Sequence, residues 1–266
     1  MKTAIVVLIG VGLAAITAIM AIQWQNQPQP AEKVAIRATA YAEKLNFSTP
    51  LISDEPAEAV ASATSPATPA LPAPAANKPL TAETLSPVVQ TLVSRQTSYA
   101  QKLAAWKQLL DTHQLDKAIA ELERAAQADP SEAEYPTALG IAYVQQLRAL
   151  QDFREQSILA IKADQTFDQA LELDPTSWEA RFWKALSLSY WPEGLNKSSE
   201  VIDHFVTLVE QQEKQSPQPQ FAETYVRLGE QYQKAGYADY ARETWQRGAA
   251  LFPSDSALRE KLATAQ

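Results

Sequence analysis

The sequence contains no cysteine and only two histidines, His113 and His204, in 266 residues. No disulfide framework, CxxC redox pair or thiolate metal site can be built from it. Two isolated histidines without a thiolate do not make a metal centre either, so no metal or other cofactor is expected. Glycine is also scarce, with seven in the whole chain. There is no phosphate-cradling P-loop, no GxGxxG and no GxSxG, the arrangements that would signal nucleotide binding or a nucleophilic serine. The neighbouring carboxylates Glu121 and Glu123 read as a solvated helix face rather than an acid–base pair. The chain is therefore not expected to be an enzyme or to take a small-molecule substrate. Positive charge is in deficit, with 23 Lys and Arg against 31 Asp and Glu. From residue 99 onward the count is seventeen against twenty-five, which accounts for the whole net charge of −8. Such a surface repels phosphate, so no nucleic-acid partner is expected.

Three compositional regions follow along the chain. Residues 4–22, AIVVLIGVGLAAITAIMAI, are uncharged. At 1.5 Å per residue a helix of this length just crosses a hydrocarbon core of about 30 Å. Lys2 precedes the run and Trp24 follows it at interfacial depth. The expectation is a single-pass anchor over residues 1–24 in the inner (plasma) membrane, with a cytoplasmic N-terminus and the rest periplasmic or extracytoplasmic. A cleaved signal would have a shorter apolar run and a small-residue cleavage site, which AIMAIQW lacks. Residues 25–85 hold nine of the 17 prolines and the stretch ASATSPATPALPAPAANKP. This composition predicts a disordered, extended linker. Within it, AEKVAIRATAYAEKLNF (31–47) fits either a helix or an alternating strand.

At Ser86-Pro87 the composition changes to helical. A serine N-cap followed by proline at the first helical position is a strong start signal. From 86 to 266 only helical periodicity is found, punctuated by Pro130, Pro175 and Pro253. Quasi-regular punctuation is a sign of internal repeats. The clearest block is AETYVRLGEQYQKAGYADYARETWQRGAALFP (222–253). It places Tyr225, Leu228, Gly229 and Tyr232 before Ala241, Trp245, Gly248 and Pro253. Small Gly229 and Ala241 allow two antiparallel helices to cross closely, and Tyr232 and Trp245 fill the space beside the crossing.

This pattern resembles the tetratricopeptide repeat. Earlier blocks carry parts of it: Ala118, Leu122 and Ala125 in the first, Leu139, Gly140, Tyr143 and Phe167 in the second, Leu188 and Phe205 in the third. The first block has Trp106 where a small residue is usual. The resemblance implies an all-α helical solenoid with repeats near 99–132, 133–177, 178–221 and 222–255. Relative to the last block, the second carries about 11 extra residues, which predicts a lengthened helix pair. The third carries about four, within SLSYWPEGL (187–195). There Pro192 and Gly194 end one helix and turn the chain. Asn196 or Ser198 is placed to cap the next.

Family geometry further implies that the first helix of each repeat lines a concave partner-binding face. The residues so placed are Leu103, Lys107 and Leu110; Thr137, Ile141 and Val144; Phe182, Leu186 and Ser189; and Val226, Glu230 and Gln233. Their largely apolar character points to an apolar peptide or helix rather than a carboxylate clamp. Two uses of the groove remain open: it is free for a partner, or the long second block or the chain before Tyr99 fills it. Trp178, Phe182, Trp183, Tyr190 and Trp191 likewise serve either as packing in irregular space or as an exposed hot spot. The expected function is a membrane-anchored interaction scaffold with a protein or peptide partner, such as an assembly factor for a cell-envelope complex. The alternatives are a secreted binding module and a non-catalytic accessory subunit.

Overall fold

The computed structural model describes residues 85–265. The anchor over 4–22, the linker before Leu85 and the ambiguous segment 31–47 lie outside the described residues. Within them, ten α-helices and one short 3-10 turn make up the regular structure, with no strand. No helix among the described residues is long and apolar enough to cross a membrane.

The opening helix α1 (Pro87–Val93) has proline at its start as expected. Ser86 does not cap it. Its backbone N–H and its hydroxyl both donate to Glu121 Oε2, at 3.0 and 2.7 Å. That carboxylate, read from sequence as solvated, is buried and ties the domain's first residues to the next helix pair. Glu123 is also structural: it accepts from the Tyr143 hydroxyl at 2.7 Å and the Lys162 ammonium at 3.0 Å.

Four antiparallel helix pairs follow: α2 (Tyr99–Asp111) with α3 (Leu115–Ala128), α4 (Glu134–Leu147) with α5 (Phe153–Leu173), α6 (Trp178–Leu188) with α7 (Ser198–Gln212), and α8 (Phe221–Lys234) with α9 (Ala238–Leu251). The last helix, α10 (Ser256–Thr264), closes the stack against α8 and α9 through fully buried Leu258. In the last pair a Cβ on Gly229 would collide with the indole of Trp245, whose Nε1 donates to the Val226 carbonyl at 3.2 Å. The same device recurs in the second pair, where a Cβ on Gly140 would come within 2.6 Å of the Phe167 ring. Gly236 turns the chain between α8 and α9 with φ +87°. Leu139, Tyr143, Tyr225, Leu228, Tyr232 and Ala241 are all buried, and α9 ends at Leu251, two residues before Pro253.

Two departures from regular stacking shape the surface. The extra residues of the second block do not lengthen both helices. Helix α4 has 14 residues, the same as α8, whereas α5 has 21. Seven additional residues project α5 by about 10 Å beyond an ordinary second helix. The first pair is loose: α2 makes closer contact with α1 than with α3, and Trp106 is buried where a small residue would have let the pair close up.

Candidate interaction site

The face formed by the first helices of the pairs is split into a closed part and an open part. The closed part lies at the N-terminal ends of the first helices, where α2 reaches past its neighbour. Lys102 Nζ, almost fully buried, contacts Glu134 on α4 at 3.2 Å and Glu179 on α6 at 2.8 Å. Burial lowers the lysine's affinity for a proton, but the two carboxylates outweigh it and hold the ammonium charged. Burial pushes the Glu179 carboxyl up. Tyr99 sits edge-on against Trp178 at 5.2 Å, and Trp178 stacks on Phe182 at 4.6 Å. Burial, reinforced by the Glu179 charge, pushes the Tyr99 hydroxyl far above its ordinary value. In a regular solenoid each repeat touches only its neighbours. Here the first repeat grips the third.

That arrangement decides where the expected groove residues lie. Thr137, Ile141, Phe182 and Val226 are buried. Glu230 is paired with Arg227 at 3.0 Å and Lys261 at 2.7 Å. Gln233 is exposed, and half-buried Ser189 donates its hydroxyl to the Leu186 carbonyl at 2.7 Å. Val144 and Leu186 remain partly open, and both line the second part of the face.

The open part is an apolar pocket of about 550 Å³ between the two insertions. Its floor is Val144 and Leu147 from α4 with Trp183 and Leu186 from α6; Phe153 at the start of α5 and Ile161 two turns on form one wall. Tyr190, Trp191, Pro192 and Leu195 form the other, so the SLSYWPEGL corner is built into it. Both walls are fixed locally. The Asp152 carboxylate caps α5 by accepting from the N–H groups of Arg154 and Glu155, each at 2.9 Å. Gln156 bonds back to the Leu150 carbonyl at 2.8 Å. After α6 the N–H groups of Tyr190 and Trp191 continue i−3 bonding, and the chain passes through the 3-10 turn Glu193–Leu195. Asn196 then takes φ +53° and Lys197 occupies the N-cap position of α7, so neither Asn196 nor Ser198 caps it.

Phe153 is 72% exposed, Tyr190 77% and Leu195 55%. Trp191 is half-buried, with the Lys197 ammonium 5.4 Å from its ring centre. Pockets of this volume with mostly apolar and aromatic walls are where proteins take ligands. The aromatic set thus divides by place: Trp178 packs against Tyr99 of α2, Phe182 is buried between Trp178 and Phe205, and Tyr190 and Trp191 line the pocket. Phe153, Ile161, Leu195 and Arg148 were not picked out from the sequence. For Phe153 and Leu195 a signal was present, since apolar residues inside an insertion have no position in the repeat to fill.

No protein-family model and no curated protein sequence matches the chain. Among solved structures, a thermophilic tetratricopeptide protein of Thermus thermophilus, TTC0263, is similar over 60% of this chain and 76% of its own, at 17% identity and TM-score 0.49. MamA is similar over 59% of this chain and 80% of its own, at 20% identity and TM-score 0.45. YrrB, described as a tetratricopeptide protein with an unusual peptide-binding site, is similar over 66% and 97%, at 18% identity and TM-score 0.32. With four helix pairs, glycine beneath an aromatic ring in the second and fourth, and a helical cap, residues 85–265 form a tetratricopeptide-like solenoid.

Proposed function

We propose that this protein is a membrane-anchored interaction scaffold, an assembly factor for a cell-envelope complex, that docks an apolar segment of a protein partner in the pocket between its second and third repeats. The observation that carries the docking site is the convergence of two separate insertions on one exposed apolar surface, with Phe153, Ile161, Tyr190 and Leu195 open to solvent. Contiguous exposed apolar surface of this kind marks interaction sites on soluble domains. The uncharged run 4–22 supports the anchor, and the proline-rich residues 25–85 give the domain a reach of tens of ångströms from the bilayer. On this reading the domain works on the extracytoplasmic side of the inner membrane.

Crosslinking in native membranes, followed by purification in mild detergent, tests the whole reading. One protein should crosslink in stoichiometric amount to the wild type and be lost from a Phe153→Asp/Tyr190→Asp chain. Because both side chains are exposed, that variant should melt within about 0.5 kcal/mol of the wild type. Retention of the partner by the variant would remove the pocket from the proposal. An intact mass lacking residues 1–24, or recovery in the soluble fraction, would remove the anchor.

A further inference from the structure

The chemistry of the pocket rim goes beyond a preference for apolar ligands. Among the described residues lining the pocket, the cation is Arg148, exposed just past the C-terminus of α4. Among the described residues its guanidinium makes no ion pair and no side-chain hydrogen bond, although acidic side chains outnumber basic ones across the domain. Among the described side chains the remaining wall holds no carboxylate: it consists of aliphatic and aromatic side chains with Gln156, Ser157 and Ser187. Two lysines near the pocket, by contrast, are used structurally, and Arg154 on α5 is exposed outside it. Lys162 pairs with Glu123 at 3.0 Å, and Lys184 is held by Asp164 and Asp168. Arg148 is solvated on one side and bordered by low-dielectric wall on the other. A charge in that setting interacts more strongly with an arriving opposite charge than it would on an open surface.

We infer that the partner's docking segment carries a carboxylate side chain beside its apolar anchors, which Arg148 reads while Phe153, Trp183, Leu186 and Trp191 hold the anchors. The inference rests on the pocket being a protein-docking site. Apolar burial supplies the affinity. The ion pair supplies the register and the choice between segments of equal hydrophobicity, as charge complementarity at an interface does. The guanidinium fork suits a planar carboxylate in two-point contact.

The test is selection of a random dodecapeptide library on the full chain held in nanodiscs, with counter-selection on the Phe153→Asp/Tyr190→Asp chain. Pocket-dependent sequences should pair bulky apolar residues with Asp or Glu. The best of them should bind roughly tenfold more weakly when its acid is changed to the amide, and also to an Arg148→Gln chain. An Arg154→Gln chain, altered at an exposed arginine outside the pocket, should lose less than about twofold. An Arg148→Glu chain should select Lys or Arg in place of the acid. Pocket-dependent peptides with no charge preference would overturn the role of Arg148 and leave the docking site standing. Absence of any pocket-dependent peptide would overturn both, and saturable binding of dodecanoate in its place would make the pocket a site for an acyl chain instead.

Discussion

At the scale of single residues, the helix crossings rest on the absence of a methyl group. Replacing a helical glycine by alanine ordinarily stabilises by about 1 kcal/mol through backbone entropy. At Gly229 the new Cβ would come within 2.1 Å of the Trp245 indole, which is 1% exposed and hydrogen-bonded, so moving the ring would break that bond and its packing. Overpacking of this kind costs about 1–3 kcal/mol or more. Gly229→Ala should therefore destabilise in urea titration, opposite in sign to the propensity effect; a stabilised variant would show that the crossing is not tight. His204 gives a second prediction at this scale. Burial, with Lys184 and Arg181 nearby, pushes it down to about 4 despite Glu200 and Asp168. The folded chain then binds fewer protons than the unfolded one between pH 4 and about 6.5. The stability from this group is full above about pH 6.5 and falls as pH drops towards 4. Between pH 7 and 5 the loss should be about 1–2 kcal/mol, and His204→Gln should remove that slope from the melting curve.

At the scale of elements, α2 is the helix that closes one end of the face formed by the first helices. Its buried side, Lys102, Ala105, Trp106 and Leu109, follows helical spacing, yet one of the four is a charge. The lysine is satisfied only by reaching Glu134 and Glu179 on two other repeats. Removing the lysine leaves the Glu179 carboxylate, whose side chain is only 15% exposed, without its partner, while Glu134 keeps Arg95 at 3.6 Å. Lys102→Met should cost roughly 3 kcal/mol, and Glu179→Gln in the same chain should recover part of it. Additive losses in that double-mutant cycle would mean the bridge contributes nothing. Tyr99→Ala should in turn raise hydrogen exchange at the start of α6, where Trp178 would lose its cover. Substitutions at Phe182 or Val226 report on stability rather than docking, because both side chains are buried.

At the scale of the whole molecule, the α2–α6 grip makes the stack less one-dimensional than its repeats suggest. Nearest-neighbour stacking alone allows the end repeats to unfold first. Here repeats one and three should lose exchange protection together, and a first repeat that opens independently would refute the coupling. Unlike the closed end, the pocket contributes little to this cooperativity, since its walls are exposed side chains on a capped helix start and a turn. The molecule thus separates a closed part of the face formed by the first helices from an apolar part open to solvent.

Helical class, the four-fold repetition and the close crossings were legible in the sequence, because glycine, alanine and aromatic residues at fixed offsets are local requirements of two helices in contact. Gly140, Gly229, Tyr143 and Trp245 each took the role their spacing implied. The extent of the second helix pair was only half legible: an insertion of known size could extend either helix, and the Asp152 cap placed it on α5. What filled the groove was not legible at all. Tyr99 and Lys102 meet Trp178 and Glu179 across long stretches of chain, 77 residues for the lysine pair, and no short-range pattern encodes such a pairing. The pocket is a consequence of the same kind, for two insertions with no sequence relation share it only because stacking brings the C-terminal ends of α4 and α6 side by side. Local packing rules specified the repeats; the tertiary structure decided which part of the surface formed by their first helices was left open.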